Sequence, residues 1–244
     1  MIISFFEEFV NKDNLNKLNL VKFPTKLYLA AKSLNEFNKI KDSIKNKNIK
    51  EIVYWPILKK NEGYWISPFS KRKALLRIFN ELRNKNVPVM LDLELPTSQN
   101  IFLYLTQLTN FSRNKKLIKK LIDEYKGKVY LCEYFPEKKN SQRILKLFGL
   151  HFENKKVKII KMFYHSMHNF STKFVKEEFN RGVKGFKDNY IVAIGTIAKG
   201  IKGTEPLLKE KLLKEDLMLA KQAGVKEVII FRLGGLNKKY LRLM

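Results

Sequence analysis

A single cysteine, Cys132, in 244 residues excludes an internal disulfide and a thiolate metal cluster. Long apolar runs are missing too, so no stretch approaches the length of a transmembrane helix. The N-terminus, Met1-Ile2-Ile3-Ser4-Phe5-Phe6-Glu7-Glu8, lacks a basic n-region and meets acids after six residues, which reads as a first strand and not a secretory signal. A cytoplasmic protein is expected. Acid is scarce: 23 Asp+Glu stand against 49 Lys+Arg, for a net charge of +26. Such a balance attracts polyanions. Yet no RNP-type motif, Cys/His finger or helix-turn-helix pattern is present, so specific nucleic-acid binding is not expected. The lysines are spread along the whole chain beside abundant Asn and Ile, as A/T-rich coding would give. Glycine is sparse after the first strand, where a dinucleotide site would need it. No cofactor and no resident metal are expected.

What the chain does have is 45% hydrophobic residues, enough for one large core. Short apolar runs at 2–6, 26–31, 51–55, 88–95, 129–135, 157–164, 190–196 and 227–233 read as eight strands. Between them lie helical patterns at 33–45, 69–84, 113–125, 141–148, 172–179 and 209–223, with weaker ones at 14–18 and 238–243. The first strong helix opens on Ser33 with Glu36 three residues on, a capping box. Near-continuous apolar strands alternating with helices demand a parallel sheet covered by helices. Eight such units in 244 residues give a fold class of α/β, a single (β/α)8 TIM barrel spanning residues 1–244 as one domain.

In a barrel of this kind the chemistry sits at the C-terminal ends of the strands. Asp92 and Glu94 end the fourth run. Residues i and i+2 of a strand share a face, so the two acids point the same way about 7 Å apart along the chain. Two acids there are costly unless something needs them. Other strand ends and loops supply Glu7, Trp55, Tyr64, Trp65, Glu133, Tyr164, His165, Glu205 and Arg232. Carboxylates with flat rings suit a saccharide, whose apolar faces stack and whose hydroxyls bond to the acids. Packing at a loop junction is the plainer reading of Trp55, Tyr64 and Trp65, and neutralisation of the acids is the plainer role for Arg232.

Asp92-Leu93-Glu94-Leu95-Pro96 and Met162-Phe163-Tyr164 give the chain a resemblance to the family 18 glycoside hydrolases, the chitinase-like barrels. In that family the fourth strand ends in D-x-x-D-x-D-x-E and the sixth carries M-x-Y-D. The resemblance implies that Glu94 is the general acid, that Asp92 orients the substrate's acetamido group, and that Tyr164 bonds to that group. Val87 and Met90 stand at the positions of the first two aspartates, and His165 at that of the last acid. The last strand also lacks the family's tryptophan.

The expected function is therefore glycosidase-like hydrolysis of a saccharide or glycoconjugate by an enzyme with Glu94 as acid. Two alternatives come from the same residues. In one, Glu7 or Glu8, Asp92, Glu94, Glu133 and His165 gather a divalent cation for a hydrolase or isomerase. In the other, the barrel is a non-catalytic receptor for a sugar or anion.

Overall fold

The computed structural model describes residues 1–96, 100–134 and 141–244. Phe135, the last residue of the expected fifth strand, lies outside these. Eight parallel strands follow one another round a closed barrel: β1 (Ile2–Glu7), β2 (Thr25–Ala31), β3 (Ile49–Pro56), β4 (Val89–Leu93), β5 (Val129–Tyr134), β6 (Lys158–Phe163), β7 (Tyr190–Gly195) and β8 (Glu227–Phe231). The helices between them are α1 (Lys12–Asn16), α2 (Leu34–Ser43), α3 (Arg72–Leu82), α4 (Leu103–Thr106), α5 (Phe111–Glu124), α6 (Ser141–Leu147), α7 (Thr172–Phe186), α8 (Glu210–Gln222) and α9 (Lys238–Leu241). The (β/α)8 expectation is met strand for strand. Contacts group the residues into two compact units, the first holding 1–30, 40–53 and 159–244, the second 31–39 and 54–158.

In the first unit, β1 lies between β2 and β8, and β8 pairs with β7. Register puts Ser4 and Phe6 on one face with Tyr28, Ile229 and Phe231. Phe5 and Phe6 are both buried, so neither face of this strand meets water. Glu227 starts β8 in this apolar setting because three donors converge on it. Ser4 Oγ (2.8 Å) and Tyr28 Oη (2.9 Å) donate to its Oε1, and Lys26 Nζ (2.6 Å) donates to its Oε2. Removing one partner of a buried charged pair strands the other, at about 3–5 kcal/mol. Glu227→Ala is accordingly expected to lower the urea midpoint sharply without changing the slope of the transition.

Helix α7 runs seven residues beyond the end expected at Phe179. Gly182 does not break it, because the glycine is needed for close packing: a Cβ there would stand 2.1 Å from Cζ of Tyr190. Half of the expected capping box forms, since the Glu36 carboxylate reaches the N–H of Lys32 and not that of Ser33. Ser33 Oγ accepts from Glu36 N (3.1 Å), and the Glu36 carboxylate accepts from Lys32 N (2.7 Å).

In the second unit, Tyr54 on β3 pairs with Val89 on β4, and β4 pairs with β5 from Val89↔Val129 to Leu93↔Glu133. Helix α5 buries Asn114, Ile118 and Ile122 at fourfold spacing and turns Lys116, Lys119 and Lys120 outward. Asn114 is satisfied by donating to the carbonyls of Pro68 (2.9 Å) and Ser70 (3.0 Å).

Candidate active site

The β4–β5 register decides which side chains can act together in the second unit. Asp92 is paired with Cys132 and Leu93 with Glu133. Paired residues of a parallel sheet project to the same side, so Met90, Asp92, Tyr130 and Cys132 share one face, and Leu91, Leu93, Leu131 and Glu133 the other. Trp55 belongs to the first face, since Tyr54 pairs with Val89 on the second. Strand β4 stops at Leu93, and Glu94 N turns back to Asp92 O (3.1 Å). From there the Glu94 carboxylate accepts a 2.8 Å hydrogen bond from Tyr134 Oη through Oε2. Burial, then the carboxylates of Glu94 and Asp92, holds the Tyr134 hydroxyl well above its ordinary pKa, so it stays a donor. Cys132 is likewise kept as a thiol, by burial first and then by Asp92, Glu94 and Glu133, and the thiol bonds to Asp92. The result is a buried aspartate and a half-buried glutamate, with Tyr134 and Cys132 as donors.

Glu133 is a correction. It faces away from Asp92, and its Oε2 lies 2.9 Å from Nδ1 of buried His151. Tyr64 and Trp65 are buried in the loop after β3, their rings edge to face with centroids 5.3 Å apart. Leu58 N donates to Tyr64 O (2.7 Å), and Ile66 N to Asp92 O (2.9 Å), so this loop is stitched to the end of β4. Trp55, Tyr64 and Trp65 are each covered to within 6% of full burial, which fits the packing reading better than an open stacking platform.

In the first unit, Glu7 is fully engaged. Its Oε1 accepts from Phe9 N (2.8 Å), Arg232 Nη1 (3.0 Å) and Asn14 Nδ2 (3.1 Å), and its Oε2 from Gly234 N (2.7 Å). Burial raises its pKa, and Arg232 with the backbone donors opposes that rise. Arg232 also donates from Nε to Lys199 O (2.9 Å) and lies over the Phe9 ring at 4.7 Å. Glu7 and Arg232 therefore fasten the ends of β1 and β8, which agrees with neutralisation as the plainer role of Arg232. Glu8, the neighbour of Glu7, lies just past the end of β1.

Glu8 and Glu205 are both buried. A Cβ on Gly200 would stand 3.1 Å from Glu8 Oε2, 3.0 Å from Glu205 Oε1 and 3.0 Å from Phe231 Cζ, so both carboxylates close on that glycine. Glu205 Oε1 also accepts from Lys202 N (3.0 Å). Tyr164 lies just past β6, its ring 5.7 Å from that of Phe231.

His165 is held on both ring nitrogens, Nε2 donating to Phe170 O (3.0 Å) and Nδ1 facing Asp216 Oδ1 (3.1 Å). Phe170 O can only accept, so Nε2 is the donor there and Nδ1 is the ring atom turned to the Asp216 carboxyl. Burial raises the Asp216 pKa to about 6, with the bond to His165 opposing. A carboxyl raised in the folded state contributes stability that is full below the unfolded value and is lost as pH rises through the folded one. Stability should therefore fall between about pH 4 and pH 6 in proportion to this group. Asp216→Asn is expected to flatten that part of a melting-temperature profile. Among the described residues no three His, Cys, Asp or Glu are placed to hold a metal. Of the donors expected for one, Glu7 is bonded to Arg232, His165 to Asp216 and Glu133 to His151.

No family model matches the chain, and no curated protein matches it. Among solved structures, "a putative alpha-L-fucosidase" from Bacteroides thetaiotaomicron aligns over 95% of this chain and 85% of its own, with a TM-score of 0.53 at 9% identity. A phosphoribosyl anthranilate isomerase from Thermococcus kodakaraensis aligns over 99% and 97% (TM-score 0.41, 11% identity). The carboxyl transferase domain of pyruvate carboxylase from Rhizobium etli aligns over 94% and 39% (TM-score 0.40, 10% identity). At such identities the likeness is one of fold. The chain is a TIM barrel, and its strand ends are where this fold carries chemistry.

Proposed function

We propose that this barrel is a glycosidase-like hydrolase of a saccharide or glycoconjugate, with Glu94 as its general acid. One observation carries the reading: Asp92 lies buried near the end of β4, Glu94 follows just past that end, and Tyr134 donates to Oε2 of Glu94. That bond orients the carboxyl group, which is proposed to carry the transferable proton. In the step proposed, this proton passes to the glycosidic oxygen as its bond to the anomeric carbon breaks, and the leaving alcohol departs neutral. Asp92 orients the group that attacks the anomeric carbon. The fold likeness to a protein described as a fucosidase is compatible with this substrate class.

The test is a panel of chromogenic aryl glycosides, N-acetylated sugars included, offered to the wild type and to Glu94→Gln. Turnover by the wild type that the variant loses supports the reading. Equal turnover by both removes Glu94 from the chemistry. Saccharide binding without turnover by the wild type would mark a receptor instead.

A further inference from the structure

We propose that the second unit carries a docking surface for an anionic lipid bilayer, formed by residues 101–108 and 144–148. Ile101, Phe102, Leu105, Leu108, Ile144 and Leu147 are between 54% and 75% exposed. A lone exposed apolar side chain is ordinary, but a contiguous group marks an interaction site. Helix α4 buries Leu103, half-buries Tyr104 against Phe69 and leaves Leu105 outside. The two segments meet. The Phe69 ring lies 4.7 Å from that of Tyr104 and 6.5 Å from that of Phe148, centroid to centroid. Lys115 Nζ bonds to the carbonyls of Lys146 (2.8 Å) and Leu147 (3.0 Å), tying the end of α6 to α5.

The surrounding charge names the partner. From residue 95 to 122, and again from 141 to 152, the sequence contains no Asp or Glu, and Glu153 just beyond is paired with Lys146 at 3.1 Å. Exposed Arg113, Lys116 and Arg143 accompany the apolar side chains. A lysine-rich composition explains cations anywhere on the surface, but it does not put phenylalanine and leucine there. A second copy of the chain would bring the same cations face to face, and like charges at an interface are repulsive. An anionic bilayer satisfies both features: apolar tips reach the acyl boundary while guanidinium and ammonium groups meet the phosphates. No helix among the described residues is long and apolar enough to cross a membrane, so the attachment is to the surface. These segments follow β4 and β5, the strands that bring Asp92, Glu94 and Tyr134 to their ends. Docking does not depend on the role of Glu94, and the experiment below reads lipid binding alone.

The full chain is floated with vesicles of phosphatidylcholine containing about one-third phosphatidylglycerol, and with pure phosphatidylcholine vesicles. Binding to the first only, weakened by salt, is expected. Phe102→Ser/Leu105→Ser should lower partitioning at least about tenfold, given two apolar side chains withdrawn from lipid. Arg113→Gln/Lys116→Gln/Arg143→Gln should lower it by roughly a hundredfold. Lys12→Gln/Lys45→Gln/Lys47→Gln, an equal loss of charge in the first unit, should leave it nearly unchanged. These positions are exposed, so unchanged melting temperatures establish that the variants fold. The proposal is overturned if the Lys12 set weakens binding as much as the Arg113 set, since bulk charge would then suffice. It is also overturned if the Phe102 variant binds like the wild type. Failure to bind vesicles, with self-association that the same variant abolishes, would assign the surface to a second copy.

Discussion

Glu94→Gln is expected to reduce turnover of a confirmed saccharide substrate by roughly 10²–10⁴-fold, the usual worth of a positioned general acid. Glutamine keeps the size of the side chain and an oxygen that can accept from Tyr134, so the local bond at 2.8 Å survives. What it lacks is a proton it can give up. Affinity should therefore change little while kcat collapses, and the melting temperature should stay where it was. Tyr134→Phe offers a second measurement, because the hydroxyl positions Glu94 without meeting the substrate. Losing a donor to the carboxylate favours the protonated form, so the limb of the pH–rate profile set by Glu94 should move upward. A Gln variant within tenfold of the wild type would disqualify Glu94.

The other large effect is one of stability. Glu7→Ala deprives Arg232 of its carboxylate while the arginine side chain remains only 12% exposed, and it also leaves Gly234 N without its 2.7 Å acceptor. Breaking a buried pair from one side costs about 3–5 kcal/mol. For a domain of this size each kcal/mol moves the melting temperature by about 2–4 °C, so a fall of roughly 10 °C is expected. Glu7→Gln should fall less, since an amide oxygen can still accept from Phe9 N or Gly234 N. A shift below about 2 °C for the alanine variant would mean that Arg232 finds another partner and that the fastening is unimportant.

Much of the barrel was legible in the sequence because strands buried on both faces read as apolar runs, and runs such as 190–196 allow little else. That same burial hid the details at the strand ends. Alternation assigns a face only where one side is polar, and Phe5 and Phe6 are both inside, so nothing local separated Glu7 from Glu8. Cys132, Glu133 and Tyr134 posed the same difficulty. Register with β4 resolves it, turning Glu133 toward His151 and Tyr134 toward Glu94. The i, i+2 spacing from Cys132 to Tyr134 would have found the tyrosine once Cys132 was known to stand beside Asp92. Partners such as Arg232 for Glu7, or Asp216 for His165, sit 225 and 51 residues away, and no spacing rule reaches them. Asp92 and Glu94 were visible because the sequence holds few acids and these two end a run of apolar residues.

The first and last strands are joined at both ends, by Ser4 and Glu227 at one and by Glu7, Arg232 and Gly234 at the other. All of these bonds span more than 220 residues. On the ribosome, then, β1 waits with one edge unpaired while the more than 220 residues up to β8 are made. Its backbone donors and acceptors are open to pairing with another chain. Glu7 and Glu8, lying beside Phe5 and Phe6, give the nascent segment charge during that interval, before Arg232 emerges. The carboxylate that later fastens the barrel thus serves first as a guard against aggregation.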